Sequence, residues 1–215
     1  MNSLHLKKKY RIALPKGALI EGSKIALAKA GIEFEMPDKK LILQTTDPNV
    51  EILLVRQHDV PIYVENGAAD LGIVGSDMLQ EKLPDVLILA DLAFGQCDLV
   101  VAAPKDSEIK TVADIADYSR IATKFPHLTR QFFRGIGSPV EIIELYGSIE
   151  IAPITGLSEA IVDLVATGKT LRENGLIQLE KISSHSARLI ANRVSWQINH
   201  EWTVEILNKL QENLF

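Results

Sequence analysis

The chain has 215 residues, of which 47% are hydrophobic and 24% charged, with a formal net charge of −5. That length buries a real core in one domain or in two small ones, and the mixed composition is that of a soluble globular protein. The mild negative charge argues against a broad nucleic-acid surface while leaving local basic residues for phosphates, and apolar runs such as Ile52–Val55 and Leu87–Ala90 are too short to span a membrane.

In chain order, Lys7, Lys8 and Lys9 lead into no long apolar stretch, and Pro15 interrupts the run that follows, so no secretory signal is read and a cytoplasmic location is expected. Tyr10–Leu14 reads as a buried strand. It runs through Pro15-Lys16-Gly17 into a helix over Leu19–Ala30 that Gly31 closes. Ligands of open α/β sheets bind at such carboxyl strand ends, so Lys16 is a candidate phosphate cation and Gly17 a point of close backbone approach. A plain turn with a solvated lysine fits the same spacing, and on spacing alone it is favoured. A second strand, Ile52–Arg56, ends in a guanidinium suited to carboxylate or phosphate oxygens, although a surface ion pair suits it equally. Asp59 stands ready to cap a helix over Val60–Asn66, closed by Gly67, and the neighbouring His58 is expected to be exposed in the turn.

The strand Leu71–Val74 leads through Gly75 and Ser76 into a helix over Asp77–Lys82. This glycine loop resembles a nucleotide edge, and tight packing explains it as well. After the strand Val86–Ala90, Phe94-Gly95-Gln96 makes a small break. Cys97 can form no internal disulfide, which fits a reducing compartment, and it is expected to be buried. Leu99–Ala103 is the next strand, Val112–Asp117 a helix, and Arg120–Thr123 a strand that passes Lys124 into a helix over His127–Gly135. Strands at Val140–Leu145 and Ala187–Ala191 follow. The last segment, His200–Leu214, places Trp202, Ile206, Leu207, Leu210 and Leu214 on one helical stripe, best explained as core. Alternating strands and helices argue an α/β fold. The histidines show no metal-ligand spacing with one another or with Cys97, and no serine sits in a nucleophile elbow, so no protein-held metal and no Ser-His-Asp chemistry is expected.

The densest stretch is Glu150–Leu171. Read as a Thr155-Gly156-Leu157-Ser158 turn followed by a helix over Leu157–Thr167, it offers first-turn N–H groups, hydroxyls and a positive dipole end to an anion. Asp163, inside that helix, and Glu150 upstream would then accept hydrogen bonds from vicinal ribose hydroxyls. An ordinary capped helix ending at Gly168 fits the spacing too.

Taken together, these segments resemble the catalytic chain of the ATP phosphoribosyltransferase family. The similarity covers almost the whole chain. Its most specific part is a signature of an acid, five residues, Gly, a small residue, Ile-x-Asp-Leu and Thr-Gly-x-Thr-Leu. Here it reads Glu150, Gly156, Ser158, Ile161, Asp163, Leu164, Thr167, Gly168, Thr170 and Leu171. Ala13–Gly17, Val55–Pro61, Asp70–Asp77 and Ile121–Pro126 support it in the family's order. Two positions depart: Ala18 stands where Arg is often found, and Lys39, before a Lys40-Leu41-Ile42 strand, replaces a common Arg.

The resemblance implies a two-lobed fold like type II periplasmic binding proteins, with a substrate cleft between lobes. Residues 1–94 and 188–215 would form one lobe and 95–187 the other, which carries the phosphoribosyl-binding segment 150–171. It implies that N1 of the ATP adenine is joined to C1 of phosphoribosyl pyrophosphate, the first step of histidine biosynthesis. Arg56 and Lys16 would serve the pyrophosphate. Glu150, Thr155, Gly156, Leu157, Ser158, Glu159, Ala160 and Asp163 would hold the phosphoribosyl group, and Gly17, Gly75, Ser76 and Lys124 would lie toward the nucleotide. Mg²⁺ would be carried mainly by substrate phosphates. The end at Phe215 suggests the short form, a homodimer working with a regulatory subunit that resembles histidyl-tRNA synthetase. A noncatalytic small-anion binding module of the same fold is the alternative.

Overall fold

The computed structural model describes residues 9–37 and 39–212; His5, Lys7, Lys8 and Leu214 lie outside them. The chain divides into two compact units. The first takes the described residues up to Leu79, then Leu83–Gly95, then those from Ser186 on; the second takes Gln80–Lys82 and Gln96–His185.

The first unit is built on a six-stranded sheet in the order β2-β3-β1-β4-β11-β5. Its strands are β1 (Tyr10–Pro15), β2 (Ile42–Gln44), β3 (Val50–Val55), β4 (Leu71–Gly75), β5 (Leu87–Asp91) and β11 (Ala187–Ala191). β1, β3 and β4 run parallel, whereas β2 opposes β3 and β11 opposes both β4 and β5. Central strands buried on both faces need nearly continuous apolar residues, and the buried runs Ile12–Leu14, Ile52–Leu54 and Leu189–Ala191 supply them. Helices α1 (Ile20–Lys29), α2 (Val60–Glu65), α3 (Ser76–Lys82), α6 (Arg193–Ile198) and α7 (His200–Glu212) complete this part of the chain, the last turn of α3 being grouped with the second unit. The expected stripe of α7 is present: Ile206 and Leu210 are buried, Leu207 is partly buried, and Trp202 stacks on Tyr10 at 4.1 Å between ring centroids.

Most buried polar groups here are matched, while Thr203 Oγ1 in α7 is buried without a partner among the described residues. The Asp70 carboxylate accepts from Arg11 N, Ser195 Oγ and Asn199 Nδ2. Asn192 caps α6 through Val194 N and Ser195 N while its amide donates to the Val64 and Glu65 carbonyls. That network ties the start of β1 to α2, β4 and α6.

The second unit has a five-stranded sheet in the order β10-β6-β9-β7-β8. These are β6 (Cys97–Pro104), β7 (Arg120–Thr123), β8 (Glu141–Glu144), β9 (Ala160–Val165) and β10 (Leu176–His185), with helices α4 (Pro126–Gly135) and α5 (Lys169–Glu173). β7, β8 and β9 are parallel; β6 opposes β9, and β10 opposes β6. The core gathers Val100, Ala102, Ala122, Ile149, Ile161 and Leu171. The first amides of α4, His127 N and Leu128 N, donate to the buried Glu81 carboxylate at 2.9 and 3.0 Å.

The expected helix over Leu157–Thr167 does not exist: residues 160–165 are the central strand β9, hydrogen-bonded to β6 on one side and β7 on the other. Ile161 and Val162 are β-branched and fully buried, and such a run suits a strand covered on both faces better than an amphipathic helix. The helix expected over Val112–Asp117 is one 3₁₀ turn, Val112–Asp114, held by a capping box between Thr111 and Asp114. Asp59 occupies the position before α2, but its side chain caps nothing and instead lies 3.4 Å from His58 Nε2. Cys97 is half-buried, since it starts β6 at the sheet's end.

Candidate functional site

Parallel strands deliver their carboxyl ends to one edge of a sheet, and the first unit gathers several sequence-marked residues there. Pro15 lies opposite Val55 in register, so Lys16 and Arg56, each one residue past its strand, are neighbours; Lys16 N donates to the Val55 carbonyl at 2.8 Å. Both side chains are exposed, and neither makes an ion pair or side-chain hydrogen bond with a described residue. Gly17 has φ +103° with open space where a Cβ would stand, so backbone is accessible beside the two cations. At the end of β4 a Cβ on Gly75 would run into Asp77 Oδ1, and Asp77 also accepts from Gln57 Nε2 at 3.1 Å. A side chain at position 75 would therefore have to displace the buried Asp77 carboxylate. Ser76 is buried, its amide donating to the Ser186 carbonyl and its hydroxyl accepting from Ser186 N, so it serves to hold the chain where it re-enters the unit.

In the second unit Thr155–Ala160 forms no helix start of the kind expected to receive an anion. With no helix starting there, no free first turn exists. Thr155 N, Gly156 N, Leu157 N and Glu159 N donate to the carbonyls of Ile151, Pro153, Ala152 and Arg120, and Thr155 Oγ1 bonds to the Ile151 and Ala152 carbonyls. Ser158 Oγ is buried without a partner among the described residues. The Glu159 carboxylate is taken by the backbone amide and guanidinium of Arg120, and Ala160 is buried in the strand. Moreover, this segment enters β9 at its amino end. Asp163 lies further along, inside the strand, whereas Thr155–Glu159 precede it.

Asp163 has a different neighbourhood. Thr123 pairs with Val162, which puts Lys124 beside Asp163, and Lys124 Nζ lies 3.2 Å from Asp163 Oδ1. Two residues past the end of β9 come Thr167 and Gly168, followed by α5. Gly168 has φ +70°, and a Cβ there would press on the Arg172 guanidinium, whose Nη2 donates to the Thr167 carbonyl at 3.1 Å. The hydroxyls of Thr167 and Thr170 and the amides of this turn therefore stand past the carboxyl end of β9, where Lys169 N donates to Thr167 Oγ1 at 3.4 Å. Placing the helix over 157–167 hid this turn; the signal that exposes it is the apolar run Ala160–Val165 stopping short of Thr-Gly-Lys-Thr. Glu150 stands in a 3₁₀ turn, Ile149–Ile151, that packs on β9.

A model of the ATP phosphoribosyltransferase family matches residues 56–212, which contain the whole Glu150–Leu171 signature. The chain belongs to this family. It is 49% identical over 205 residues to the ATP phosphoribosyltransferase of Microcystis aeruginosa, covering 94% of this chain and 95% of that one. Among solved structures it resembles the ATP phosphoribosyl transferase (HisG:HisZ) complex from Thermotoga maritima, with a TM-score of 0.81 and 36% identity over 95% of this chain and 98% of that one. The periplasmic aliphatic sulphonate binding protein SsuA from Escherichia coli shares the fold alone, at a TM-score of 0.62 and 15% identity over 95% of this chain and 68% of that one. The expected likeness to periplasmic binding proteins is therefore found in the architecture. Membership of a phosphoribosyltransferase family sets aside the noncatalytic alternative. No helix among the described residues is long and apolar enough to cross a membrane, and no group of three or more His, Cys, Asp or Glu there is arranged to hold a metal ion.

Proposed function

We propose that the chain joins N1 of the ATP adenine to C1 of phosphoribosyl pyrophosphate, releasing pyrophosphate and committing both substrates to histidine biosynthesis in the cytoplasm. Family membership across the signature is the observation that carries this reading. The adenine nitrogen is the nucleophile, so no covalent enzyme intermediate is needed. As the bond from C1 to pyrophosphate breaks, positive charge grows on the ribose and negative charge on the leaving group, and catalysis consists of neutralising the second while fixing the first.

Lys16 and Arg56, adjacent and unpaired among the described residues, fit the leaving pyrophosphate. Asp163 accepts from the ribose hydroxyls, with Glu150 as a second acid on the same segment. The 5-phosphate is assigned to Thr167–Thr170, where a glycine turn and two hydroxyls follow a parallel strand end, in place of Thr155–Ala160 whose amides are engaged. Gly17 stands beside the two cations, and Lys124 beside Asp163. A divalent metal, Mg²⁺ in this reading, would ride on the substrate phosphates, because the described residues offer two cations and scattered acids there and no cage of carboxylates. Bound there, it would spread the leaving group's charge. Holding two reactants in line supplies in principle about 7–11 kcal/mol toward the barrier.

The two compact units would act as the lobes of a binding-protein architecture, the second contributing the phosphoribosyl segment. A homodimer, and a regulatory partner such as the HisZ named with the Thermotoga maritima protein, complete the proposal. The test is to mix the chain with ATP, phosphoribosyl pyrophosphate and Mg²⁺ and to follow an adenine-modified product. Product formation supports the reading; none, with and without the partner, rejects it.

A further inference from the structure

The ion pair between Lys124 and Asp163 has no evident reason in stability. The side chains are 38% and 20% exposed, and pairs so open to water contribute about 0–1 kcal/mol. Its geometry is more informative. Asp163 Oδ1 is taken twice, by Lys124 Nζ at 3.2 Å and by Leu164 N at 2.8 Å, whereas Oδ2 accepts from no described residue. A carboxylate carries acceptor sites on both oxygens, so fastening one presents the other. Lys124 is itself steadied: its Nζ lies 5.3 Å from the centroid of the Phe125 ring, which is fully buried. The lysine comes from the end of β7 and the aspartate from β9, joined in register by the pair Thr123 and Val162, so the spacing of the two groups is set by the sheet.

We infer that Lys124 is a positioning residue: it fastens Oδ1 of Asp163 so that Oδ2 faces the ribose hydroxyls before substrate arrives. This rests on the phosphoribosyl site proposed above. A carboxylate preset in one rotamer loses less freedom on binding than one that must be ordered by the sugar. Lys124 then acts through Asp163 and touches no substrate, which departs from the nucleotide-facing role that sequence suggests for it.

The experiment is a double-mutant cycle on the binding of ribose 5-phosphate, measured by calorimetry, with Lys124→Met, Asp163→Asn and both together. Lys124→Met is expected to weaken binding roughly fivefold in the wild-type background and to change nothing in the Asp163→Asn background, with Lys124→Arg restoring most of the loss. Thermal unfolding of the lysine variants should match that of the parent, which separates positioning from a structural role. An equal loss in both backgrounds would show that Lys124 contacts the ligand itself and overturn the inference, as would wild-type affinity for Lys124→Met while Asp163→Asn is impaired. Wild-type affinity for Asp163→Asn would instead remove Asp163 from the phosphoribosyl site, and the inference falls with that reading.

Discussion

Arg56 and Lys16 sit past their strands with nothing among the described residues to neutralise them. Two unpaired cations held side by side repel each other, so the arrangement stabilises an anion more than it stabilises the fold. Arg56→Ala is expected to leave thermal unfolding unchanged and to lower kcat by tens-fold or more, the scale of one charge-assisted contact of about 1.5–3 kcal/mol. Steady-state rates near those of the parent would sink the assignment. Glu159 shows the opposite behaviour, a charge spent on structure. The Arg120 guanidinium hydrogen-bonded to it holds its carboxyl below the ordinary value of 4.5, against the contrary pull of burial. A depressed folded value means that the stabilisation is complete above the unfolded value and is lost as pH falls through the folded one. Glu159→Gln should therefore lower Tm near neutrality and flatten its decline below pH 4.5, as read from melting curves across the acid range.

At the scale of elements, β9 and the turn after it decide how the phosphoribosyl site is built. Gly168→Ala would force a Cβ into the left-handed region and against Arg172, a strain of roughly 1–2 kcal/mol, and should reduce affinity for ribose 5-phosphate more than it reduces Tm. Binding unchanged by calorimetry would move the 5-phosphate elsewhere. The same element marks where sequence stops being legible. Arg120–Thr123 and Ala187–Ala191 could be bounded from their apolar runs alone, and the start of α7 placed from its helical stripe. β9 shows no alternation, since both faces are covered, and its Gly156 and Ser158 mimic a helix start. β10, an edge strand in which most residues are partly exposed, lacks the continuous apolar signal altogether. Residues that become neighbours through sheet register, such as Lys16 with Arg56 or Lys124 with Asp163, lie about 40 positions apart in each case and carry no mark of one another in the linear order.

Across the whole molecule, ligand binding should be visible as stability. Phosphoribosyl pyrophosphate at about a hundred times its Kd adds ~2.7 kcal/mol to unfolding, and Asp163→Asn should shrink the resulting Tm shift. The order of strands has a further bearing on how the protein comes to exist. β11 lies between β4 and β5, yet it is encoded after every strand of the second unit. During synthesis the first sheet therefore waits with a gap between β4 and β5, both apolar flanks open, until some ninety further residues have emerged. The second unit, nearly all of it one continuous stretch, has no such wait. Expressed alone, residues 96–185 are expected to give a cooperative melt, whereas residues 1–95 should stay unfolded or aggregate until a peptide carrying Ser186–Ala191 is supplied. A strand translated after both of its sheet partners and after the whole second unit is thus the one that releases the nascent chain from this aggregation-prone state.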